Sequence, residues 1–252
     1  MSDIPKTPSF RLDGKRALVT GAGRGIGLAA AAALAEQGAE VTLAARTASE
    51  IEAAADRIAA NACACVLDVS DLPAVRAFFE ERQPFHILLN NAGTNRPKPM
   101  WEPSEEDFDA VMDLNVKASY FVAQACVRRL IAAGEKGSLI HMGSQMGHVG
   151  GPNRSLYCAS KWAMEGMNKA FALDLAPHGI RSNTIAPTFI ETPLTKPMFE
   201  DERFKASVLD KIKLGRIGTV EDLMGAVVFL ASDASALVTG TSLLVDGGWT
   251  AE

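Results

Sequence analysis

Short apolar or β-branched runs alternate along the chain with longer alanine-rich segments of helical periodicity. The runs have the length and composition of buried β-strands. They lie at Ala17–Thr20, Val41–Ala44, Ala64–Leu67, Ile87–Asn90, Ser138–Met142, Arg181–Ile185 and Ser242–Val245. The helical segments lie at Gly27–Gln37, Ser49–Ala60, Phe108–Ala133, Ser155–Ala176 and Val220–Ala231. Repeated strand–helix–strand connections are right-handed and give a parallel sheet. The pattern therefore predicts an α/β fold of the doubly wound, Rossmann type, with a seven-stranded parallel sheet and helices on both faces.

The domain organisation follows from what interrupts this alternation. No Ser/Gly-rich linker, repeat or change of composition divides the 252 residues, so we expect one domain over residues 1–252. The segment from Pro187 to Gly218 has three prolines, mixed charge and no strand pattern. A long excursion of this kind is either a functional lid or disordered, and we predict a substrate lid at about 187–218.

The composition excludes several classes of protein. Hydrophobic residues make up 48% and charged residues 22%, which is ordinary for a globular chain. The net charge of −5 argues against nucleic acid or an anionic membrane as the main partner. No apolar run approaches the roughly 18 residues of a membrane span. The segment Met1–Phe10 lacks the apolar core of a signal peptide.

The four cysteines bear on metal binding and on the cellular compartment. Cys63 and Cys65 are close in sequence, but no second Cys or His cluster completes a zinc pattern around them. We therefore interpret the cysteines as buried thiols, expect no metal, and favour a reducing cytoplasm.

A glycine-rich loop joins the first strand to the first helix. It reads Thr20-Gly21-Ala22-Gly23-Arg24-Gly25-Ile26-Gly27 and opens directly into the helical segment. Glycines let the backbone approach a pyrophosphate, and a helix amino terminus supplies free N–H groups. Ile26 departs from the common dinucleotide spacing, because it stands where a small residue is usual. Alone, the loop could also be a tight strand-to-helix turn, which is the less favoured alternative.

Further motifs follow in a fixed order. Asn90-Asn91-Ala92-Gly93 ends the fourth strand, Asn115 lies in the next helix and Ser144 follows the fifth strand. Tyr157-Cys158-Ala159-Ser160-Lys161 begins the helix after that. With the glycine-rich loop, these motifs resemble the short-chain dehydrogenase/reductase family, and the resemblance extends over nearly the whole chain.

The resemblance implies a nicotinamide-dependent oxidoreductase that moves a hydride between its cofactor and a carbonyl or secondary alcohol. It implies that Tyr157 is the general acid/base, that Lys161 lowers the Tyr157 pKa and holds the nicotinamide ribose, and that Ser144 binds the substrate oxygen. Asn115 would anchor a water that links Lys161 to solvent. The chemistry is consistent, because an unperturbed phenol with a pKa near ~10 is a poor base and a neighbouring ammonium favours phenolate. Separately, Asn115 could instead bond backbone at a helix irregularity, and Ser144 could be a turn residue at the end of a strand.

The resemblance also implies a cofactor-binding set. Its members lie in the glycine-rich loop, after each of the next strands, in the catalytic helix and at the start of the lid: Gly21, Arg24, Gly25, Ile26, Gly27, Arg46, Asp68, Val69, Asn91, Ala92, Gly93, Tyr157, Lys161, Pro187, Ile190 and Thr192. Asp68 is expected to contact the adenine amino group, with capping of the following helix as the alternative. Asn90 would fix the sheet edge and not touch ligand. Pro187 is followed by Thr188 where the family commonly has glycine.

The second strand indicates which nicotinamide cofactor is used. A site that prefers NAD usually ends this strand with Asp or Glu, which binds the ribose 2′-hydroxyl. Here the strand ends in Ala45, and Arg46 follows. A guanidinium suits a 2′-phosphate by its bidentate geometry. We therefore predict NADP, with NAD as the alternative. Arg24 could supply a second cation or be a solvated loop residue.

The residues expected around the substrate are unusually polar. The stronger candidates are Asn95, Gln145, Arg154 and Phe189, with Arg96, His148, Asn153 and Trp249 nearby. This set suggests a sugar acid or polyol as the small-molecule carbonyl or alcohol substrate. Arg154 could pair with a carboxylate, although Arg154 and Arg96 could also be surface charges. His148 is expected to be a supporting residue and not a base.

The sequence leaves two alternatives to a sugar-acid or polyol dehydrogenase open. The family's 3-oxoacyl-carrier-protein reductases are similar, but an acidic carrier protein would require a basic patch. A nucleotide-binding sensor without turnover would usually lack a catalytic residue, whereas all four are present here. By resemblance we expect a homotetramer in which helices 108–133 and 155–176 form one interface and the last helix and strand another.

Overall fold

The seven strands form one parallel sheet, as the sequence predicts. The structure is a computed structural model that describes residues 4–58 and 61–251. The strands are β1 Arg16–Thr20, β2 Glu40–Ala45, β3 Ala62–Val66, β4 Ile87–Asn90, β5 Gly137–Met142, β6 Ile180–Pro187 and β7 Ser242–Val245. Their order across the sheet is β3-β2-β1-β4-β5-β6-β7. The order reverses between β1 and β4, which opens a crevice at the carboxyl ends of the strands, where doubly wound folds bind ligands.

Helices cover both faces of this sheet. They are α1 Gly25–Glu36, α2 Ala48–Ile58, α3 Leu72–Glu80, α4 Glu105–Met112, α5 Ser119–Ala133, α6 Ser155–Leu175, α7 Glu202–Lys211 and α8 Glu221–Ala231. One apolar core packs side chains of α1, α2 and α8 against the strands, including Leu34, Ile51 and Val227. The other packs α3 and α5 on the opposite face, including Phe78 and Leu130. The predicted fold class is confirmed.

The predicted helix boundaries hold to within a few residues except in one region. The segment predicted as one helix over 108–133 is α4 and α5 joined by a π-helical turn at Asp113–Ala118. Ala59 and Ala60, the predicted end of the second helix, lie outside the described residues. Helices α3 and α7 were not delimited by the sequence pattern, because both are short and one lies in the segment taken as a lid.

The segment from 187 to 218 is structured. It contains a 3₁₀ turn at Lys196–Glu200 and then α7. Phe199, Val208 and Ile212 are buried in a small apolar cluster of its own, against which Phe189 and Trp249 pack. This cluster is separate from the two main cores, although Ile190 of the same segment is buried in one of them.

The cysteine interpretation is only partly right. Cys126 is buried, but Cys63 is exposed because β3 is an edge strand with one face toward solvent. All four cysteines are free thiols. In residues 4–58 and 61–251, no helix has the length and apolar character needed to cross a membrane.

Candidate active site

The glycine-rich loop brings backbone unusually close to the amino terminus of α1. Gly21 has φ +65°, and a Cβ added there would be 3.0 Å from Ala92 Cα. A Cβ on Gly27 would be 2.6 Å from Asn91 Nδ2 and closer still to the Gly21 carbonyl oxygen. No side chain caps α1 at Arg24. The loop therefore offers an uncapped helix terminus and a shallow backbone surface, which fits the pyrophosphate of a dinucleotide.

The loop after β4 braces this cradle. The Thr20 hydroxyl accepts hydrogen bonds from the backbone N–H groups of Asn91 (3.0 Å) and Ala92 (3.1 Å). The Asn91 amide donates to the carbonyl oxygens of Thr20 (3.0 Å) and Gly21 (3.2 Å). Asn90 donates to the Ser119 carbonyl at 2.7 Å, so it ties β4 to α5 as expected. In this structure the Asn91 side chain holds the glycine-rich loop.

The start of the segment 187–218 lies over the same loop. Gly25 has φ +57°, and its missing Cβ would be 3.5 Å from the Thr192 methyl group. The Ile190 side chain is buried in the core next to α8, while its backbone forms an isolated bridge with Gly218. Only the backbone of Ile190 is thus placed to contact a cofactor. Pro187 ends β6 and pairs with Val245.

The residues predicted near adenine lie at the end of β3. Asp68 is exposed, and its carboxylate accepts from the Ser70 backbone N–H at 2.9 Å. The cap of α3 is Asp71, which accepts from Ala74 N at 3.0 Å, so the capping role considered for Asp68 belongs to Asp71. The Val69 side chain is buried in the core.

The end of β2 carries one free cation. Arg46 is exposed and makes no hydrogen bond or ion pair with any residue in 4–58 or 61–251. Arg24, in contrast, pairs with Glu50 at 3.5 Å, and both side chains are exposed. Glu50 also approaches Gly23, whose added Cβ would be 3.3 Å away from it.

Asn115 lies in the π-helical turn and is fully buried. Its Oδ1 accepts from Thr94 N at 2.8 Å, and its Nδ2 donates to Thr94 O (2.9 Å) and Ser160 Oγ (3.0 Å). A Cβ on Gly93 would come within 3.2 Å of Asn115 Oδ1. The side chain thus bonds backbone at a helix irregularity and joins the loop after β4 to α6.

Ser144 and Tyr157 meet at the carboxyl edge of the sheet. Ser144 follows β5, donates to Gln145 Oε1 at 2.8 Å, and accepts from Met146 N at 3.1 Å. Tyr157 is half-buried in the first turn of α6. Burial raises the pKa of Tyr157, while hydrogen bonding with Ser144 and the charge of Arg154 oppose that rise.

Lys161 is one turn further along α6 and is buried. Its ammonium donates to the Met142 carbonyl at 2.7 Å and lies 5.4 Å from the centroid of the Tyr157 ring. Burial lowers the Lys161 pKa to about 8, against the opposing charge of Glu165. Among the charges that act on Tyr157, that of Arg154 opposes the rise of its pKa. The lowering of the Tyr157 pKa by Lys161 stays a prediction.

A buried carboxylate beneath Lys161 was missed from the sequence. Glu165 accepts hydrogen bonds from Thr184 Oγ1 (2.9 Å) and Ser242 Oγ (3.2 Å). His148 Nε2 lies 2.8 Å from Ser242 Oγ and 3.7 Å from Glu165. His148 is therefore a supporting residue, as expected. The signal for Glu165 was its position four residues after Lys161, on the same face of α6.

Some of the predicted substrate residues are buried near Ser144 and Tyr157, and others are exposed or packed elsewhere. Arg154 is buried, and Gln145 is buried against Ser144, whereas Arg96 is exposed. The Phe189 ring packs in an aromatic cluster, with ring centroids 5.6 Å from Phe204 and 5.8 Å from Trp249. Buried oxygens of Asn95 and Thr188, which follow β4 and β6, have no hydrogen-bond partner within the described ranges.

The described residues contain no group of three or more His, Cys, Asp or Glu side chains that could hold a metal.

Comparison with known proteins decides the family. A family model described as enoyl-(acyl carrier protein) reductase matches residues 21–250. A gluconate 5-dehydrogenase of Gluconobacter oxydans is 41% identical over 248 residues, which cover 96% of each chain. The chain belongs to the short-chain dehydrogenase/reductase family. This short-chain dehydrogenase/reductase is also 36% identical to D-erythrulose reductase of Gallus gallus, over 96% of this chain and 98% of the relative.

This short-chain dehydrogenase/reductase is also similar to a solved structure. The crystal structure of a gluconate 5-dehydrogenase from Burkholderia cenocepacia, in complex with NADP and tartrate, has a TM-score of 0.93 and 38% identity. The match covers 96% of this chain and 98% of that one. Family membership makes this chain an NAD(P)-dependent dehydrogenase/reductase, which disfavours a sensor without turnover.

Proposed function

We propose that this enzyme uses NADP(H) to interconvert a secondary alcohol and a carbonyl on a small hydroxylated substrate, a sugar acid or polyol. The observation that carries the proposal is the meeting of Ser144, Tyr157 and Lys161 at the same sheet edge as the glycine-rich cradle. A proton-transfer group, its neighbouring cation and a dinucleotide cradle at one edge have the composition that hydride transfer to a carbonyl requires.

Each side chain has a role in this proposal. The bound nicotinamide supplies or accepts the hydride. Tyr157 gives its phenolic proton to the oxygen on which negative charge develops, or removes it in the reverse direction. Ser144 donates a hydrogen bond to that oxygen after turning from Gln145. Lys161 holds the nicotinamide ribose. Asn115 ties the loop after β4 to α6, the helix that carries Tyr157 and Lys161.

The cofactor preference rests on the end of β2. Ala45 offers no acceptor to a ribose 2′-hydroxyl, and the exposed Arg46 is free to receive a 2′-phosphate. The Arg24–Glu50 pair lies beside Gly23, so Arg24 would be a second cation for the 2′-phosphate. The NADP-bound gluconate 5-dehydrogenase structure supports NADP over NAD. The remaining members of the predicted cofactor set would line the groove between this site and Lys161.

The substrate class is supported by polarity and by relatives. Two buried oxygens, on Asn95 and Thr188, lack partners within the described part of the chain, and substrate hydroxyl groups could satisfy them. The relatives named above act on a sugar acid and on a ketose sugar. Reduction of 3-oxoacyl groups on a carrier protein is the second candidate, since the family model's description names that carrier. The net charge of −5 does not favour docking of an acidic partner.

We place this chemistry in one catalytic domain, residues 1–252, with residues 187–218 as its lid, acting as a cytoplasmic homotetramer. The faces of α5 and α6 expose Tyr120, Trp162 and Leu173, and β7 exposes Leu244. Exposed apolar side chains on these elements suit the two expected interfaces.

The proposal is tested by turnover. Sugar acids, polyols and acyl ketones are screened with NADP(H) and NAD(H), following absorbance of the reduced nicotinamide. The Tyr157→Phe variant should lose at least ~10²-fold in kcat while it binds NADP nearly as wild type does, because only proton transfer is removed. Wild-type kcat in this variant, on the substrate with the highest wild-type kcat/KM, would refute the assignment.

A further inference from the structure

Arg154 is a largely buried cation without an ion-pair partner among the described residues. It is 8% exposed, and its guanidinium forms no hydrogen bond or ion pair with any residue in 4–58 or 61–251. The side chains whose charges act on it are the Tyr157 phenol and the Cys158 thiol, and burial lowers the Arg154 pKa. Both neighbours are neutral in their ordinary state at pH 7. A guanidinium has five N–H donors. None of them bonds to a described residue, and no nitrogen of Arg154 is among the buried side-chain atoms that lack a partner, so the guanidinium reaches solvent.

Partial burial of the Arg154 side chain removes some of the water around its charge, and no described residue compensates for it. A buried charge without a partner lowers stability. Arg154 is also the residue that precedes α6, and a cation at the amino end of a helix faces the positive end of the helix dipole. Neither folding nor helix capping explains an arginine at this position.

The surrounding backbone nevertheless holds Arg154 in place. Asn153 has φ +58° and is the one non-glycine residue with positive φ among the described residues. The Asn153 carbonyl accepts from Lys98 N at 3.2 Å, which ties this turn to the loop after β4. A side chain on Gly151 would collide with Met146 and approach Arg154 Cγ at 3.4 Å. Strained backbone that is held by its neighbours is typical of functional sites.

Arg154 lies at the substrate end of the site. It is three residues before Tyr157, so the two side chains are neighbours at the start of α6. Asn95 follows β4 and Thr188 follows β6, at the carboxyl edge of the same sheet, and each has a buried side-chain oxygen without a partner among the described residues. One unpaired cation and two unpaired oxygens match a ligand with one carboxylate and several hydroxyl groups.

We propose that Arg154 binds the carboxylate of the substrate and makes the enzyme selective for sugar acids over neutral polyols. This inference rests on the proposed function. The guanidinium takes the carboxylate in a two-point, charge-assisted contact. Hydroxyl groups of the same molecule donate to Asn95 and Thr188, and the alcohol that reacts faces Tyr157.

The experiment compares two substrates and three variants. D-Gluconate and D-sorbitol have the same number of carbons and differ by one carboxylate. Arg154→Gln removes the charge and keeps a polar side chain, and Arg154→Lys keeps a charge without the two-point geometry. Arg57→Gln is the matched control, because Arg57 is an exposed arginine in the last turn of α2, away from the site.

We expect the ratio of kcat/KM for gluconate over sorbitol to fall roughly ten- to a hundredfold in Arg154→Gln. Arg154→Lys should lie between that variant and wild type, and Arg57→Gln should keep the wild-type ratio. A ratio in Arg154→Gln within about threefold of wild type would overturn the inference. So would an equal loss on both substrates together with a shifted pH profile, since that result would place Arg154 at Tyr157 and not at the substrate.

A binding measurement separates this inference from the proposed function. In the Tyr157→Phe background no turnover is needed, and thermal unfolding is followed with NADP and increasing gluconate. Gluconate should raise Tm in Tyr157→Phe and raise it less when Arg154→Gln is added. Without ligand, Arg154→Gln should unfold at the same or a higher temperature, because an unpaired buried charge is removed. A lower Tm without ligand, or an unchanged gluconate effect, means that Arg154 is structural. Failure of every substrate to turn over, with gluconate binding still dependent on Arg154, refutes only the proposed reaction.

Discussion

Replacing Gly27 by alanine tests whether the cofactor cradle depends on a close backbone approach. The new Cβ would meet Asn91 Nδ2 at 2.6 Å and the Gly21 carbonyl oxygen at a shorter distance, whereas ordinary contacts begin near 3.4 Å. The loop must therefore move by about 1 Å. Asn91 donates to Gly21 O and Thr20 O, so the movement disturbs both hydrogen bonds that hold the loop.

The magnitude follows from two opposing effects. Overpacking of this kind costs about 1–3 kcal/mol. Alanine in a helix recovers about 0.5–1 kcal/mol over glycine. The free energy of unfolding should thus fall by about 1–2 kcal/mol. Gly225→Ala is the matched control, because Gly225 is also helical but its Cβ would meet nothing within 4 Å. That variant should gain about 0.5–1 kcal/mol.

Two assays read out the effect. Denaturant unfolding gives the two stability changes, and titration of protein fluorescence with NADP gives the dissociation constant. Gly27→Ala should weaken NADP binding about tenfold or more, since each 1.4 kcal/mol lost at the loop is a factor of ten. Gly225→Ala should bind NADP as wild type does. Equal NADP affinity and equal stability in wild type and Gly27→Ala would show that the loop does not form the cofactor cradle.

Three further predictions use the same protein. Ala45→Asp combined with Arg46→Ala should lower the ratio of kcat/KM for NADP over NAD by roughly ten- to a hundredfold, because the 2′-phosphate loses a cation and meets a carboxylate; an unchanged ratio would contradict the NADP assignment. Limited proteolysis within 187–218 should slow when NADP and substrate are added together, and equal cleavage rates would show that the segment is static. Burial lowers the His141 pKa to about 4, so the unfolded chain binds more protons and stability falls as pH drops below about 6.5. Between pH 8 and pH 5 the free energy of unfolding, measured with denaturant, should fall by about 2 kcal/mol because of this histidine. His141→Asn should not show that fall.

The sequence was sufficient for the sheet and for the order of its strands along the chain. Alternation of apolar runs with helical segments is a local signal, and the crossover rule converts it into a parallel sheet. The four residues implied as catalytic by resemblance come together at one sheet edge. Their roles stay predictions, because placement alone does not measure proton transfer.

Other features depend on contacts between distant segments and have no local signal. Asn115 occupies a π-helical turn because its amide bridges Thr94 and Ser160, which lie 21 and 45 residues away. Arg96 and Arg154 looked alike as loop arginines. The structure separates them: Arg154 is buried next to a turn that the Lys98–Asn153 hydrogen bond ties to the loop after β4, whereas Arg96 is exposed. A sequence pattern does not encode which of two loop cations becomes buried.

The face of α6 that meets the sheet explains why substrate recognition belongs at its amino end. It carries Arg154, Tyr157, Lys161 and Glu165 in that order, at helical spacings of three, four and four residues. Toward the sheet each charge has a partner: Lys161 bonds the Met142 carbonyl, and Glu165 bonds two hydroxyl groups. Toward the substrate, Arg154 has none in the described chain. Burial of a charge is tolerated where a partner compensates for it. The charges of this face are therefore paired near the sheet and unpaired next to Tyr157, which is where the proposed substrate carboxylate would pair with Arg154.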